Sequence, residues 1–209
     1  ENYPDYLGCC ASLDSNLGRI RDELERLGIA DNTLIIYTSD HGSHFQTRNG
    51  EYKRSCHDGC IRVPLLIHGP GFTGGDRPQE LVSLIDMPPT ILSAAGVQPG
   101  NRITAHDAMQ GRAVQELVAG DKSQWPEEVF LQISESHCGR AIRTSKWKYS
   151  VRAPDKTGHD AASDVYVEDF LYDLESDPHE RNNLVADPSL ATVREDLRQR
   201  LKRRMAEAG

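Results

Sequence analysis

The 209-residue chain predicts an α/β fold followed by a small antiparallel sheet with a C-terminal helix. Three observations predict it. Apolar residues at helical spacing lead through a short turn into a β-branched run at 33–38, the helix-to-strand unit of α/β folds. A second apolar run, at 63–68, follows a polar loop. From 129 onward, short apolar segments recur at close spacing, as in an antiparallel sheet. The two parts should divide near 122–128, giving an α/β portion over 1–125 and a sheet-plus-helix portion over 126–209.

The elements follow in order. Over residues 5–28, Leu13, Leu17, Ile20, Leu24 and Leu27 share one helical face, and Gly28 fits the position that ends such a helix. Thr33 to Thr38 reads as a buried strand and runs into Ser39-Asp40-His41-Gly42. Val63 to His68 reads as a second buried strand. Residues 71–79 read as a surface loop. Leu81, Leu84, Ile85, Ile91 and Leu92 suggest helical stretches around Pro88-Pro89, which marks a break. Gly96 should close that element. Residues 98–112 look like loop, and Ala113 to Val118 a short helix. Strand candidates follow at 129–133, 141–144, 147–151 and 170–173, with 153–164 as a polar excursion. Asp187 is a good N-cap with Pro188 after it. Leu190, Val193, Leu197 and Leu201 then form one face of a final helix. Arg200, Lys202, Arg203 and Arg204 fall where cations complement the helix dipole.

The formal net charge of −8 argues against nucleic acid as the main partner. No apolar run is long enough to span a bilayer, and no leader peptide is visible. The chain opens at Glu1 on what reads as a helix already under way, so a fragment or processed piece is expected. Cys9, Cys10, Cys56, Cys60 and Cys138 are odd in number and irregular in spacing, which predicts free thiols rather than a disulfide framework or structural zinc. Cys56 and Cys60 flank the polar loop and could line a site.

That loop carries the chemistry. In open α/β sheets, ligands bind just beyond the carboxyl ends of strands, where Asp40 and His41 stand. A carboxylate and an imidazole at a strand tip can reach one cation; by softness alone the nitrogen suits Mn²⁺, Mg²⁺ or Zn²⁺ better than Ca²⁺. Two ligands are too few, so further donors must come from elsewhere. Gly42 lets the chain turn after the pair. Lys53 is a compact cation fitted to an oxyanion such as sulfate or phosphate. His44 and His57 are candidate proton donors, and Arg48 could hold a second anionic group. His137 and Arg140, between two small-sheet strands, could face substrate if that sheet packs beside the site. His68, His106, His159 and His179 read as surface or packing histidines.

The segment Asn32-Thr33-Leu34-Ile35-Ile36-Tyr37-Thr38-Ser39-Asp40-His41-Gly42 resembles the second metal-binding motif of the sulfatases, members of the alkaline phosphatase-like superfamily. Lys53 with His57-Asp58 and Ile61-Arg62-Val63-Pro64-Leu65, then Leu84 to Thr90, resemble the segments that follow. Phe170 to Leu174 with Asp177-Pro178-His179-Glu180 and Asn182-Asn183-Leu184 resembles the family's C-terminal signature. The resemblance implies a partial alkaline phosphatase-like core and hydrolysis of a sulfate ester, on sugars or glycans, beside one divalent cation, usually Ca²⁺. It implies that Asp40 and His41 bind the metal, that Lys53 contacts the sulfate and stabilises the leaving oxygen, and that His44 is a site histidine. His57 stands where a Tyr or Phe is more usual. The family's nucleophile is a formylglycine made in a Cys/Ser-x-Pro/Ala-x-Arg motif, and these residues contain no such motif. The nucleophile and the other metal ligands are expected in a missing N-terminal segment, without which the chain should be inactive. A phosphonate or phosphodiester hydrolase of the same superfamily, or a non-catalytic fragment, are the alternatives.

Overall fold

The structure is a computed structural model and describes residues 3–72, 74–97 and 109–208. The predicted loop at 98–112 and His106 lie largely or wholly outside the described residues. A 24-residue helix α1 (Tyr3–Arg26) comes first. Gly28 ends it with φ +69°, where the Gly28 and Ile29 N–H groups bond back to Glu25 and Leu24, the Schellman arrangement. No residue of α1 is buried. The predicted apolar face exists, but Leu13, Ile20 and Leu27 are exposed.

Strand β1 (Ile35–Thr38) pairs antiparallel with β2 (Leu65–His68), Ile36 opposite Ile67. One face of this ribbon packs Leu34, Ile36, Leu65 and Ile67 onto Phe72, Met87, Val114, Leu117 and Trp125. The other face is open, with Leu66 exposed. The strands expected to be buried are therefore half-buried ribbons. Antiparallel pairing leaves Asp40 and His41 just past the carboxyl end of β1 and beside the start of β2. Between the strands lies a one-turn helix α2 (Asp58–Ile61).

Helix α3 (Met87–Ala94) follows a 3₁₀ turn at Leu84–Asp86. The break falls before the proline pair, not at it: Pro88 and Pro89 occupy the first turn, where a missing N–H costs no helical bond. Helix α4 (Val114–Val118) adds Val114 and Leu117 to the first core, and Trp125 joins it with its indole N–H on the Leu81 carbonyl at 2.8 Å.

The second part is a four-stranded antiparallel meander, β3 (Glu128–Ile133), β4 (Gly139–Thr144), β5 (Trp147–Arg152) and β6 (Val167–Asp173). One face packs Ile142, Tyr149, Val151 and Leu171 against Leu197 and Leu201 of α5 (Ala191–Glu207). The other face turns to the polar loop, where Cys56 packs against Ile133 and Ala141, with Phe170 beside them. Both faces are covered, so β4 and β5 are buried almost throughout. Asp187 caps the 3₁₀ turn at Pro188–Leu190 through Ser189 N–H rather than α5 itself. Of the terminal basic residues, Arg200 and Arg203 converge on buried Glu128 of β3, a tertiary role beyond dipole compensation. No described helix is long and apolar enough to cross a membrane.

Candidate functional site

Asp40, His41 and Lys53 meet at one end of the β1–β2 ribbon and line a common cavity of about 1270 Å³. The His41 N–H donates to Asp40 Oδ1 at 2.9 Å, and that bond is the main cause holding the exposed carboxyl below the usual carboxylate range. His41 Nδ1 lies 2.9 Å from the Gly42 carbonyl. A carbonyl only accepts, so Nδ1 carries the proton and Nε2 presents its lone pair. Lys53 Nζ donates to that Nε2 at 3.1 Å, and Asp40 Oδ2 stands 3.5 Å from it.

This geometry fits two donors of one cation. Atoms each about 2.0–2.6 Å from a shared ion lie about 3–4 Å apart. A metal-binding histidine also typically spends its other ring N–H on a carbonyl, as His41 does. Among the described residues no third His, Cys, Asp or Glu completes a set, so the pair by itself is too few donors for a cation. The formylglycine does not fit the residues present, which contain no Cys/Ser-x-Pro/Ala-x-Arg sequence.

Gly42 is needed for closeness rather than for a turn. Its N–H bonds the Cys60 carbonyl at 2.7 Å, and a Cβ there would collide with the Gly59 carbonyl. The strand tip therefore rests directly on α2. Lys53 is held by its own backbone: its carbonyl accepts from His44 Nε2 and from Asn49 Nδ2, both at 3.2 Å.

The other predicted site residues are placed away from the cavity. His44 is buried under the loop, bonded to Lys53's carbonyl. Arg48 donates to the His179 and Glu180 carbonyls at 2.6 and 2.7 Å, so its guanidinium ties the loop to the C-terminal signature instead of pointing at a ligand. His57 is 4% exposed, with Nε2 3.2 Å from the Tyr172 hydroxyl and its ring edge-on to Phe170. Burial, then Arg48 and Lys148, push its pKa down to about 3, which makes it a neutral packing group. His137 sits beside Ser136 in the β3–β4 hairpin, with burial lowering its pKa. Arg140 is buried and bonds the Gly139 and Ala161 carbonyls. Cys60 does line the cavity; Cys56 is buried outside it, its thiol pushed up to about 11 by burial. All five cysteines are free.

Sequence reasoning missed a cluster at the wall of the site, two of whose members, Asp58 and Arg143, line the same cavity. Lys148 of β5, fully buried, ion-pairs with Asp58 at the start of α2 and with Glu180. Arg143 of β4 also pairs with Asp58 at 3.2 Å, and Glu180 Oε2 accepts the Asp58 N–H at 2.7 Å. Burial works against the Asp58 charge, but Lys148 and Arg143 outweigh it and hold the carboxyl low. A lysine between Trp147 and Tyr149, near the start of β5, was the available signal.

Residues 1–97 match the Sulfatase family, and residues 50–207 match the family described as N-sulphoglucosamine sulphohydrolase, C-terminal. Arylsulfatase K of Bos taurus is 32% identical over 187 residues, covering 87% of this chain and 33% of that protein. A structure solved with its substrate D-glucosamine-2-N,6-O-disulfate is 27% identical, with TM-score 0.75 over 97% of this chain and 40% of that one. The phosphonate monoester hydrolase of Agrobacterium radiobacter is 28% identical, with TM-score 0.77 over 94% of this chain and 40% of that one. The chain spans about a third of the length of the curated relatives it matches. With the strand tip, the lysine and the C-terminal signature all in place, the chain belongs to the sulfatase family and carries a C-terminal portion of its alkaline phosphatase-like fold.

Proposed function

We propose that the whole protein hydrolyses sulfate esters carried by sugars or glycans, at the cavity lined by Asp40, His41 and Lys53. The observation that carries this reading is their convergence: a carboxylate, an imidazole lone pair and an ammonium linked by distances of 3.5 and 3.1 Å. Asp40 Oδ2 and His41 Nε2 would hold one divalent cation, with Ca²⁺ the family's usual ion and Mn²⁺ or Mg²⁺ as substitutes. The remaining donors and the formylglycine belong to the part of the whole protein that these residues do not cover. When bound, the cation supplies Lewis-acid polarisation of a sulfate oxygen.

The chain's own residues then have distinct tasks. The His41 N–H bonds the Asp40 carboxyl and holds it below the usual carboxylate range. His41 is held in one tautomer by the Gly42 carbonyl. Lys53 has no carboxylate partner among the described residues, so its ammonium can turn to the ester's leaving oxygen as charge builds there. An interaction that strengthens as charge develops raises kcat rather than merely lowering KM. His44 and Arg48 hold the loop that carries Lys53.

Hydrolysis of a phosphonate or phosphate ester is the second reading. The likeness to a phosphonate monoester hydrolase favours it, since an ammonium beside a cation site accepts either oxyanion. Full-length protein assayed on sulfate, phosphate and phosphonate esters separates the two by kcat/KM. Lys53→Ala should cost about 10²–10³ in kcat on the preferred ester, and Asp40→Ala should lose both the cation and turnover. Wild-type turnover with full cation content in Asp40→Ala would overturn the assignment.

A further inference from the structure

We infer that Lys148 is a positioning residue for the Asp40–His41 pair, acting through Asp58 and α2 from the loop-facing surface of the C-terminal sheet. The inference rests on the reading of Asp40 and His41 as cation donors.

The chain of contacts is continuous. Lys148 stands on β5, opposite Arg143 of β4 and Tyr172 of β6 in the sheet register. Its ammonium is fully buried between Asp58 and Glu180. Asp58 is the first residue of α2. Its carboxylate takes Lys148 and Arg143, while its N–H goes to Glu180. Both ends of that residue are thus fixed to the second part of the molecule. Three residues after Asp58 along the chain, α2 ends at Ile61, and within it the Cys60 carbonyl receives the Gly42 N–H. The absence of a Cβ at Gly42 lets the strand tip sit against Gly59. A shift of α2 therefore moves the backbone immediately after His41, including the Gly42 carbonyl that fixes the His41 tautomer.

A buried ammonium is a poor device for stability alone. Desolvation of the ions offsets most of their attraction, and an apolar replacement of matched shape often folds as well. What the ionic arrangement supplies is direction. Two carboxylates from segments 122 residues apart are brought to one point, and α2 can take only one orientation against β4 and β5. The same loop is tied a second time beside Lys53. Arg54, at φ +69°, pairs with Glu135, itself at φ +66°, and the Ser136 hydroxyl donates to the Arg54 carbonyl at 2.7 Å. The cation donors and the lysine are thus oriented from the same sheet by separate tethers.

The test uses full-length protein stripped with chelator, titrated with Ca²⁺ by calorimetry, with the melting temperature of each stripped variant measured alongside. Lys148→Met leaves the half-buried Asp58 and buried Glu180 carboxylates facing each other and should melt lower. Lys148→Met/Glu180→Gln removes that repulsion, leaves Asp58 paired with Arg143, and should recover the wild-type melting temperature. Both should bind Ca²⁺ about tenfold or more weakly, as when a partner that orients a metal ligand is removed. Their kcat at limiting Ca²⁺ should fall and return in excess Ca²⁺, with KM for the ester unchanged within about twofold. A double variant that melts and binds Ca²⁺ like wild type would overturn the positioning role and leave the cluster as a folding device. Asp40→Ala separates the two levels. If it loses Ca²⁺ while the double variant retains it, only the positioning role fails; if Asp40→Ala itself retains wild-type affinity, the cation reading fails first.

Discussion

His57 is held neutral by its surroundings. Its folded pKa of about 3 lies well below the ordinary value near 6.5, so between those values the unfolded chain binds a proton that the folded chain does not. Stability contributed at this residue is fully present above about pH 6.5 and is lost as pH falls toward 3. The family resemblance places an aromatic here, and the ring does pack edge-on to Phe170. His57→Phe should therefore keep kcat within about threefold in the full-length protein and flatten the acid side of the stability profile. Urea unfolding at pH 7 and pH 5 measures this, the wild type losing more stability between them than the variant. A loss of activity beyond about a hundredfold at unchanged stability would return His57 to the catalytic set. At this scale Asp40, His41 and Lys53 were legible because their residue types suit only a few chemistries at a strand tip. Arg48 was not: a guanidinium serves two backbone carbonyls as readily as an anion, and nothing local distinguishes the two.

Helix α5 and the meander form one element-level unit. Leu197 and Leu201 are each 1% exposed and pack on Ile142, Tyr149 and Leu171. Leu197→Ala should cost about 2–5 kcal/mol in denaturant unfolding monitored at the sheet, whereas a loss under about 1 kcal/mol would mean that α5 docks through Glu128 and its arginines instead. The helix and the four strands could be read from periodicity, since period and turn residues are local properties. The burial of both sheet faces could not. A strand covered on two sides loses its alternation for reasons that lie in whatever packs against it. Here that is α5 on one face and the 42–60 loop on the other, a segment far away in sequence. The Pro88-Pro89 break shows the same limit: proline disfavours a helix interior, but whether it ends one helix or starts the next depends on where the following apolar face docks.

For the molecule as a whole, the apolar residues of α1 and the outer side of the β1–β2 ribbon are uncovered among the described residues. Leu13, Ile20 and Leu27 are about half exposed, at 53%, 55% and 52%, and Leu66 at 61%. Faces of that kind mark interaction surfaces or aggregation liabilities. Produced by itself, the 209-residue chain should bind the dye ANS and elute ahead of a monomer. Leu13→Lys/Ile20→Lys should reduce both while leaving far-UV circular dichroism unchanged; dye binding as strong as wild type in that variant would place the exposed surface elsewhere. Taken alone, the order of residues determined the element types and the family and singled out Asp40, His41 and Lys53, because propensity, periodicity and motif spacing are properties of neighbouring residues. Only the tertiary structure decided that Lys148, Asp58 and Glu180 stand together at the wall of the site's cavity and that His44, Arg48 and His57 turn away from it. Such contacts join segments 90 and 122 residues apart, and the packing that makes them has no local signature.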